Sequence, residues 1–172
     1  MTQEEHPDDA TLRKAAVVDV AAIHKLIMTY ADERKMLAVP LSKLYDRVRD
    51  FFVVEKDGEV VACAALHVLW SDLAEVRSLA VRADCHRRGL GRRLVEACKH
   101  EAVALRLPKV FCLTFVPDFF KPLGFVEVDK SELPHKVWAD CINCPHFPDC
   151  GEVPLVCELV KGASRADSDR RA

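Results

Sequence analysis

The chain has 172 residues, half of them hydrophobic, which suits one domain with a substantial core and is short for two. Its 25 Lys and Arg residues nearly balance 27 Asp and Glu residues, giving a net charge of −2. This balance argues against nucleic-acid and membrane-surface binding, which favour a generally cationic protein, and points to small-molecule partners.

The two ends of the chain are polar and lack hydrophobic periodicity. Residues 1–10 contain no apolar core of the signal-peptide kind, and no apolar run reaches the roughly 18 residues of a membrane helix. We therefore expect a cytoplasmic protein with one domain over residues 11–161 and disordered ends at 1–10 and 162–172.

The first half of the domain predicts two helices and a hairpin. After a short strand at 12–16, Asp19 is expected to cap a helix. The apolar face of this helix comprises Ile23, Leu26, Ile27 and Tyr30. A second helix is expected over 41–49, followed by two apolar runs around Asp57-Gly58, a dipeptide that favours a hairpin turn.

The second half predicts a strand over 74–81, a helix that begins near Gly89, and a buried strand within 110–115. The apolar face of the helix comprises Leu90, Leu94, Cys98, Ala102 and Leu105. The remaining elements are a short helix near 117–123, a strand from Gly124 and a last strand over 153–160. This order predicts a mixed α/β fold in which helices cover a sheet.

A basic, glycine-containing segment, His86-Arg87-Arg88-Gly89-Leu90-Gly91-Arg92-Arg93, joins the strand at 74–81 to the long helix. Cations at a helix N-terminus cost about 0.3–1 kcal/mol each, so four arginines there point to an anionic partner. The glycines let backbone N–H groups converge on a phosphate. Taken alone, the segment also fits a turn with a solvated basic patch. It is neither a dinucleotide fingerprint, which needs glycine at Leu94, nor a Walker loop, which needs Lys-Ser/Thr after Gly91.

Residues 86–91 resemble the Gln/Arg-x-x-Gly-x-Gly/Ala signature of the GNAT superfamily of N-acetyltransferases, with His86 in the Gln/Arg position. The resemblance runs from 75–81 to 119–125 and extends more loosely over 12–160. It implies an α/β fold with a mixed, mostly antiparallel sheet flanked by helices, whose strands splay at a central acetyl-CoA cleft. Residues 65–81 and 131–150 look like the short bacterial amino-acid N-acetyltransferases that make N-acetylglutamate.

The resemblance implies acetyl-CoA as the co-substrate of an acyltransferase. In the family, the backbone of the strand before the loop pairs with the pantetheine arm, and the N–H at Leu79 is the candidate for polarising the thioester carbonyl. The side chains of Leu79 and Val81 can at the same time be ordinary core residues. The residues expected to bind the coenzyme are Leu79, Ala80, Val81, Arg87, Arg88, Gly89, Leu90, Gly91 and Arg92.

The acceptor side of the site is expected on the strand at 74–81. The family often places a carboxylate at the Glu75 position that takes the amine proton, although Glu75 also fits a surface glutamate. Arg77 shares a strand face with Glu75, because side chains alternate along a strand. It either pairs with Glu75 alone or also holds a substrate carboxylate through its two-pronged donor geometry. The nominees for substrate binding are Arg77, Lys136, His67 and Trp70; for the last two, a place in the core is the alternative.

The expected reaction is acetylation of the α-amino group of a small amino acid, L-glutamate, at the entry to arginine biosynthesis. Phe120 stands where the family often has a tyrosine general acid, which leaves the proton donor for the leaving thiol open. Acetylation of another amine, such as a protein N-terminus, and a catalytically silent acyl-CoA-binding module remain as alternatives. Assembly as a homo-oligomer is also open.

The chain has eight cysteines, which in a cytosolic protein are read as thiols or metal ligands before disulfides. Four lie in apolar segments and are expected in the core: Cys63, Cys98, Cys112 and Cys157. Cys85 adjoins the basic loop, and a surface position is left open for it; nothing beside it argues for a nucleophile. In the Cys-rich loop at 134–151, the candidates for a structural zinc site are Cys141, Cys144 and Cys150. Loop thiols without a metal are an equally weighted alternative.

Overall fold

The computed structural model describes residues 10–133, 141 and 150–159. The expectations for residues 1–9 and 162–172 lie outside them. The strands are β1 (Thr11–Lys14), β2 (Phe51–Lys56), β3 (Glu59–Trp70), β4 (Leu73–Val81), β5 (Lys109–Thr114), β6 (Val126–Glu127) and β7 (Val153–Glu158). The helices are α1 (Val20–Asp32), α2 (Leu41–Asp46), α3 (Leu90–Ala104) and α4 (Pro117–Phe120).

The seven strands form one sheet in the order β1-β2-β3-β4-β5-β7-β6. All neighbouring strands are antiparallel except β4 and β5, which run parallel. The predicted mixed, mostly antiparallel sheet is therefore confirmed. Strands β4 and β5 are in register only at Ala74 with Val110 and at Glu75 with Phe111. Beyond Glu75 the two strands separate, and the sheet opens at its centre.

The two faces of the sheet are covered by different helices. Helix α3 packs on one face through residues that include Leu94, Val95 and Cys98, all fully buried. Helices α1 and α2 pack on the other face through Ile23, Ile27 and Leu44. Among the described residues, no helix is both long enough and apolar enough to span a bilayer.

The predicted hairpin between β2 and β3 is confirmed. Asp57 and Gly58 both have positive φ, 53° and 76°, as a tight primed hairpin turn requires. The predicted role of Asp19 is wrong, because its side chain makes no capping hydrogen bond to α1. Its carboxylate instead accepts hydrogen bonds from the backbone N–H of Ala16 (2.7 Å) and from the guanidinium of Arg13 (2.7 and 2.9 Å).

Near α3 the structure gives the position of Cys85, which the sequence left open, and corrects the placement of Leu105 on the apolar face. Cys85 is only 3% exposed, because a 3-10 turn at Ala83–Cys85 directs the thiol into the core beneath α3. Leu105 is 53% exposed, because α3 ends at Ala104 and Arg106 has a φ of 61° that turns the chain away. The four cysteines expected in the core are all buried: Cys63, Cys98, Cys112 and Cys157.

Candidate active site

A cleft of about 830 Å³ lies where β4 separates from β5. Its walls come from the end of α1 and the segment after it, from β4, from the basic loop and the start of α3, and from the ends of β5 and α4. Most of the residues predicted from the sequence lie in this lining: Glu75, Arg77, Leu79, Ala80, Val81, Arg87, Gly89, Leu90, Gly91 and Arg92.

A β-bulge in β4 shapes the floor of the cleft. Arg77 pairs with Ala65 and Ala80 pairs with Cys63, so Ser78 and Leu79 lie opposite a single residue of β3. Ser78 has a φ of 54°, an uncommon value for a residue with a side chain. Burial raises the pKa of Cys63 to about 12, and its thiol donates a hydrogen bond to the Ser78 carbonyl (3.5 Å).

The register of β4 shows which backbone groups face the cleft. The N–H of Arg82 donates to the Val61 carbonyl of β3 (2.8 Å). Because successive residues of a regular strand point their backbone groups to opposite sides, those of Val81 face away from β3. Val81 is one of the two residues whose backbone was expected to pair with the pantetheine arm, and its carbonyl on this side already accepts hydrogen bonds from Tyr30 and His86. Leu79, the other residue, lines the cleft within the bulge.

The N-terminus of α3 opens onto the same cleft. Its first intrahelical bond runs from the Arg93 N–H to the Gly89 carbonyl (3.0 Å), so the preceding N–H groups of Leu90, Gly91 and Arg92 have no acceptor within the helix. Gly89 has a φ of 74°, which glycine adopts at little cost. Gly91 is needed for a different reason, since a Cβ there would lie 3.1 Å from the ring of Phe119.

The arginines of the loop remain exposed. Arg87, Arg88 and Arg92 form no ion pair with any residue in the described part of the chain. Arg87 and Arg92 line the cleft, whereas Arg88 lies outside the lining. The positive end of α3 therefore carries charges that the described residues do not neutralise, which suits a phosphate.

Glu75 and Arg77 lie side by side at the other end of the cleft. As predicted, they share a strand face, and Arg77 Nη1 lies 3.5 Å from Glu75 Oε2. Their side chains are 14% and 24% exposed, respectively. Both charges are thus largely shielded from solvent and border the space between the strands. A carboxylate and a guanidinium therefore lie together at one point of the lining.

The other nominees for substrate binding are placed less favourably. His67 lies opposite Glu75 in the β3–β4 ladder, but its Nδ1 bonds to Asp50 Oδ2 (2.7 Å), and it does not line the cleft. Trp70 is 61% exposed at the end of β3, outside both the lining and the core. Lys136 lies outside the described residues.

Sequence reasoning missed two parts of the lining. One is the segment after α1, which contributes Lys35, Met36, Leu37 and Val39. The other is a hydrogen-bonded group in which the Tyr30 hydroxyl and the His86 ring meet at the Val81 carbonyl. Tyr30 was expected on the inner face of α1, but a partner 51 residues away gives no local signal in the sequence.

Phe120 is buried in the lining and packs edge-on against Phe119 and Phe125, with ring centroids 5.0 and 5.3 Å away. The position therefore presents hydrocarbon to the cleft. No hydroxyl is available there to protonate a leaving thiolate.

The cysteine loop reaches the cleft at Cys141 and Cys150, while Cys144 lies outside the described residues. Burial raises the pKa of the Cys150 thiol, which donates to Glu152 Oε2 (3.5 Å). No group of three or more metal-ligating side chains occurs among residues 10–133, 141 and 150–159. The expectation of structural zinc therefore has no support in the part of the chain that is described.

Comparison with known sequences agrees with the geometry. Residues 18–125 match the model of the acetyltransferase (GNAT) family. The chain is 39% identical over 150 residues to an uncharacterized N-acetyltransferase of Chlorobaculum tepidum, covering 86% of this chain and 96% of that protein. It is 38% identical over 141 residues to an amino-acid acetyltransferase of Mycobacterium tuberculosis, covering 80% of each.

Solved structures show the same fold. A Mycobacterium tuberculosis protein crystallised in complex with CoA and NLQ is 34% identical, with a TM-score of 0.76, covering 87% of this chain and 99% of that one. N-acetylglutamate synthase from Neisseria gonorrhoeae, complexed with coenzyme A and N-acetyl-glutamate, has a TM-score of 0.81 at 25% identity. That match covers 88% of this chain and 35% of the synthase. By sequence and by fold, the chain belongs to the GNAT family and is an acetyl-CoA-dependent N-acetyltransferase.

Proposed function

We propose that this enzyme acetylates the α-amino group of a small amino acid, with L-glutamate as the acceptor, and so acts as a cytoplasmic N-acetylglutamate synthase at the start of arginine biosynthesis. The observation that carries the proposal is the separation of β4 from β5 directly after Glu75. It places a carboxylate and a guanidinium at the end of a cleft whose other end is the N-terminus of α3. The relatives named as amino-acid acetyltransferases support the choice of acceptor.

In this proposal the coenzyme lies along β4. Its pyrophosphate binds the free N–H groups at the start of α3, with Arg87 and Arg92 beside it. Its pantetheine arm accepts a hydrogen bond from the cleft-facing N–H of Val81, whose carbonyl is taken by Tyr30 and His86. The thioester carbonyl then reaches the N–H of Leu79, which supplies a hydrogen bond where negative charge develops in the transition state.

The acceptor binds at the Glu75 end of the cleft. Arg77 binds a carboxylate of the amino acid through its paired donors. The ammonium group loses a proton to Glu75, directly or through water, because only the free amine attacks. Lys35 also lines the cleft, where its Nζ is paired with Glu33 Oε2 at 2.6 Å. The other carboxylate of glutamate binds Lys35 by replacing Glu33.

The transfer itself needs no further protein group. The amine nitrogen attacks the thioester carbonyl, a C–N bond forms, and the tetrahedral oxyanion is held by the Leu79 N–H. As the intermediate collapses, the nitrogen gives up its extra proton to water, the C–S bond breaks and CoA leaves as a thiolate. Thiols have pKa values of about 8.5, so the thiolate leaves readily and takes a proton from water. This route is compatible with phenylalanine at position 120.

An acceptor screen tests the proposal. Release of the CoA thiol is measured with acetyl-CoA and one acceptor at a time: glutamate, glutamine, aspartate, alanine, a polyamine and a peptide with a free N-terminus. The highest kcat/KM is expected for glutamate, because one carboxylate binds Arg77 and the other displaces Glu33 from Lys35. Rapid turnover of the polyamine or the peptide without turnover of glutamate would contradict the assignment.

The Glu75→Gln variant tests the role of the carboxylate. Loss of a general base typically slows a reaction about 10²–10⁴-fold, and the deficit should shrink as the pH rises and the free amine becomes abundant. Glu127→Gln, on the exposed strand β6, is the matched control and should leave the rate unchanged. A Glu75→Gln variant with wild-type activity at neutral pH would remove Glu75 from the mechanism.

A further inference from the structure

Three groups meet at the edge of the coenzyme strand. The Tyr30 hydroxyl of α1 donates to the Val81 carbonyl. His86 Nε2 lies 2.8 Å from the same carbonyl oxygen and 2.8 Å from the Tyr30 hydroxyl. The Tyr30 and His86 rings are nearly parallel, with an interplanar angle of 17°. Both residues line the cleft.

The donors and acceptors of this group follow from its chemistry. A carbonyl oxygen only accepts, so the Tyr30 O–H and the His86 Nε2–H both point at Val81. The Tyr30 oxygen is then free to accept from the same Nε2–H. Burial raises the pKa of Tyr30, which keeps its hydroxyl protonated and able to donate. The carbonyl is therefore held by two side chains from different parts of the fold.

Tyr30 also fixes the segment on the acceptor side of the cleft. Its own carbonyl accepts from the Lys35 N–H (2.9 Å), and the Arg34 N–H donates to Ala31 (2.9 Å). These bonds close α1 with Arg34 at a φ of 57°, a position that usually holds glycine. The chain then enters the cleft lining at Lys35, so the backbone of Tyr30 anchors the start of that lining.

We propose that Tyr30 and His86 are positioning residues, which hold the Val81 carbonyl so that the cleft-facing backbone of β4 meets the coenzyme and the segment at 35–39 stays in register with it. His86, in the Gln/Arg position of the loop signature, acts here on the protein's own strand. This inference rests on the proposed placement of acetyl-CoA along β4, and it is independent of which acceptor is used.

Calorimetric titration with CoA tests the inference on wild type, Tyr30→Phe, His86→Ala and the double variant. A neutral hydrogen bond contributes about 0.5–1.5 kcal/mol, so each single variant should bind roughly 2- to 12-fold more weakly. The double variant should lose more than the product of the single losses, because either donor alone still holds the carbonyl. In kinetics, KM for acetyl-CoA should rise by similar factors while kcat at saturation changes about twofold or less.

Two conservative comparisons separate positioning from general destabilisation. His86→Gln keeps an N–H donor and should restore most of the affinity lost in His86→Ala. Tyr45→Phe and His100→Ala change exposed residues away from the cleft and should bind CoA as wild type does. Because His86 is exposed, its variants are expected to fold, and thermal midpoints without ligand verify this for all of them.

The inference is overturned if the double variant binds CoA within about twofold of wild type, or if His86→Gln is as weak as His86→Ala. Failure of the wild-type protein to bind CoA would instead refute the proposed coenzyme site. Wild-type CoA binding without acetylation of glutamate would refute only the proposed acceptor.

Discussion

Two groups of arginines in this chain have opposite surroundings. Arg13, on β1, pairs with Asp19 at 2.7 Å and with Glu55 at 2.6 Å. Asp19 is only 6% exposed, so its charge depends on this partner. Arg87 and Arg92 are exposed at the positive end of a helix and have no ionic partner among the described residues. Arg13 stabilises the fold through its ion pairs. The charges of Arg87 and Arg92 are unfavourable at the start of α3 and favour binding of an anionic ligand.

Arg82 shows that pairing, rather than position in the sequence, separates the two groups. It lies five residues before Arg87, yet its guanidinium bonds to Glu59 at 2.8 Å and to Asp84 at 2.7 Å. Its charge is satisfied before any ligand arrives. Its position near the other basic residues suggests a phosphate ligand. Its ion pairs show instead that it connects the start of the loop to β3.

The double variant in which both Arg87 and Arg92 are replaced by serine tests the second group. It should have the largest effect on CoA affinity. Two charged contacts to phosphate, each contributing about 1 kcal/mol or more at an exposed site, predict CoA binding roughly 10- to 100-fold weaker. The effect should shrink at high salt. The unliganded protein should be as stable as wild type or slightly more so, because cations leave the positive helix end. Calorimetry and urea unfolding measure the two quantities.

Arg49→Ser, at an exposed site remote from the cleft, is the control for loss of positive charge. Its CoA affinity should be unchanged. If the double loop variant bound CoA like wild type, or unfolded more easily, the loop arginines would belong with Arg13 as structural residues.

Arg13→Met tests the first group and should show the reverse pattern. Removing one partner leaves Asp19 buried with an uncompensated charge, which predicts a loss of about 2 kcal/mol in the free energy of unfolding. CoA affinity should remain within about twofold of wild type. Adding Asp19→Asn to the variant removes the charge and should recover part of the stability. A variant with normal stability and weakened CoA binding would contradict the distinction.

Local patterns in the sequence were enough to locate the second group of arginines. The Gly-x-Gly turn, the charges around it and the apolar face of α3 all lie within a few residues of one another, and the structure contains that helix and its buried face. The hairpin at Asp57-Gly58 was predictable for the same reason. Its turn conformation depends on two adjacent residues.

Contacts between distant segments could not be predicted in this way. The pairing of Arg13 with Glu55 joins residues 42 positions apart and exists only because β1 pairs with β2. His67 looked suitable for a substrate carboxylate until the fold brought Asp50 to its ring. The sequence left the exposure of Cys85 open, because nothing local shows that its turn points inward.

The response to acid should also distinguish wild type from Arg13→Met. The hydrogen bond from Arg13 lowers the pKa of Asp19 below its ordinary value of 3.8, against the opposing effect of burial. A lowered folded-state pKa contributes stability above the unfolded pKa, and this stability is lost as the pH falls through about 4 and below. In Arg13→Met that contribution is missing, so its urea midpoint should decline less between about pH 6 and pH 3. Parallel declines in the two proteins would show that the pair does not control Asp19.

The two glycines of the loop have the smallest expected effects. Gly89 is required for its positive φ, whereas Gly91 is required because a side chain there would contact Phe119. In Gly89→Ala, the added Cβ has no atom within 4 Å, but alanine is strained at a φ of 74°. We expect the free energy of unfolding to fall by about 1 kcal/mol. Gly91→Ala gains helix propensity of about 1 kcal/mol, which the 3.1 Å approach to Phe119 offsets. Its stability should stay near that of wild type, while displacement of the ring at the cleft weakens CoA binding by about threefold. Equal effects of both substitutions on stability and on binding would mean that Gly91, like Gly89, is required by the fold alone.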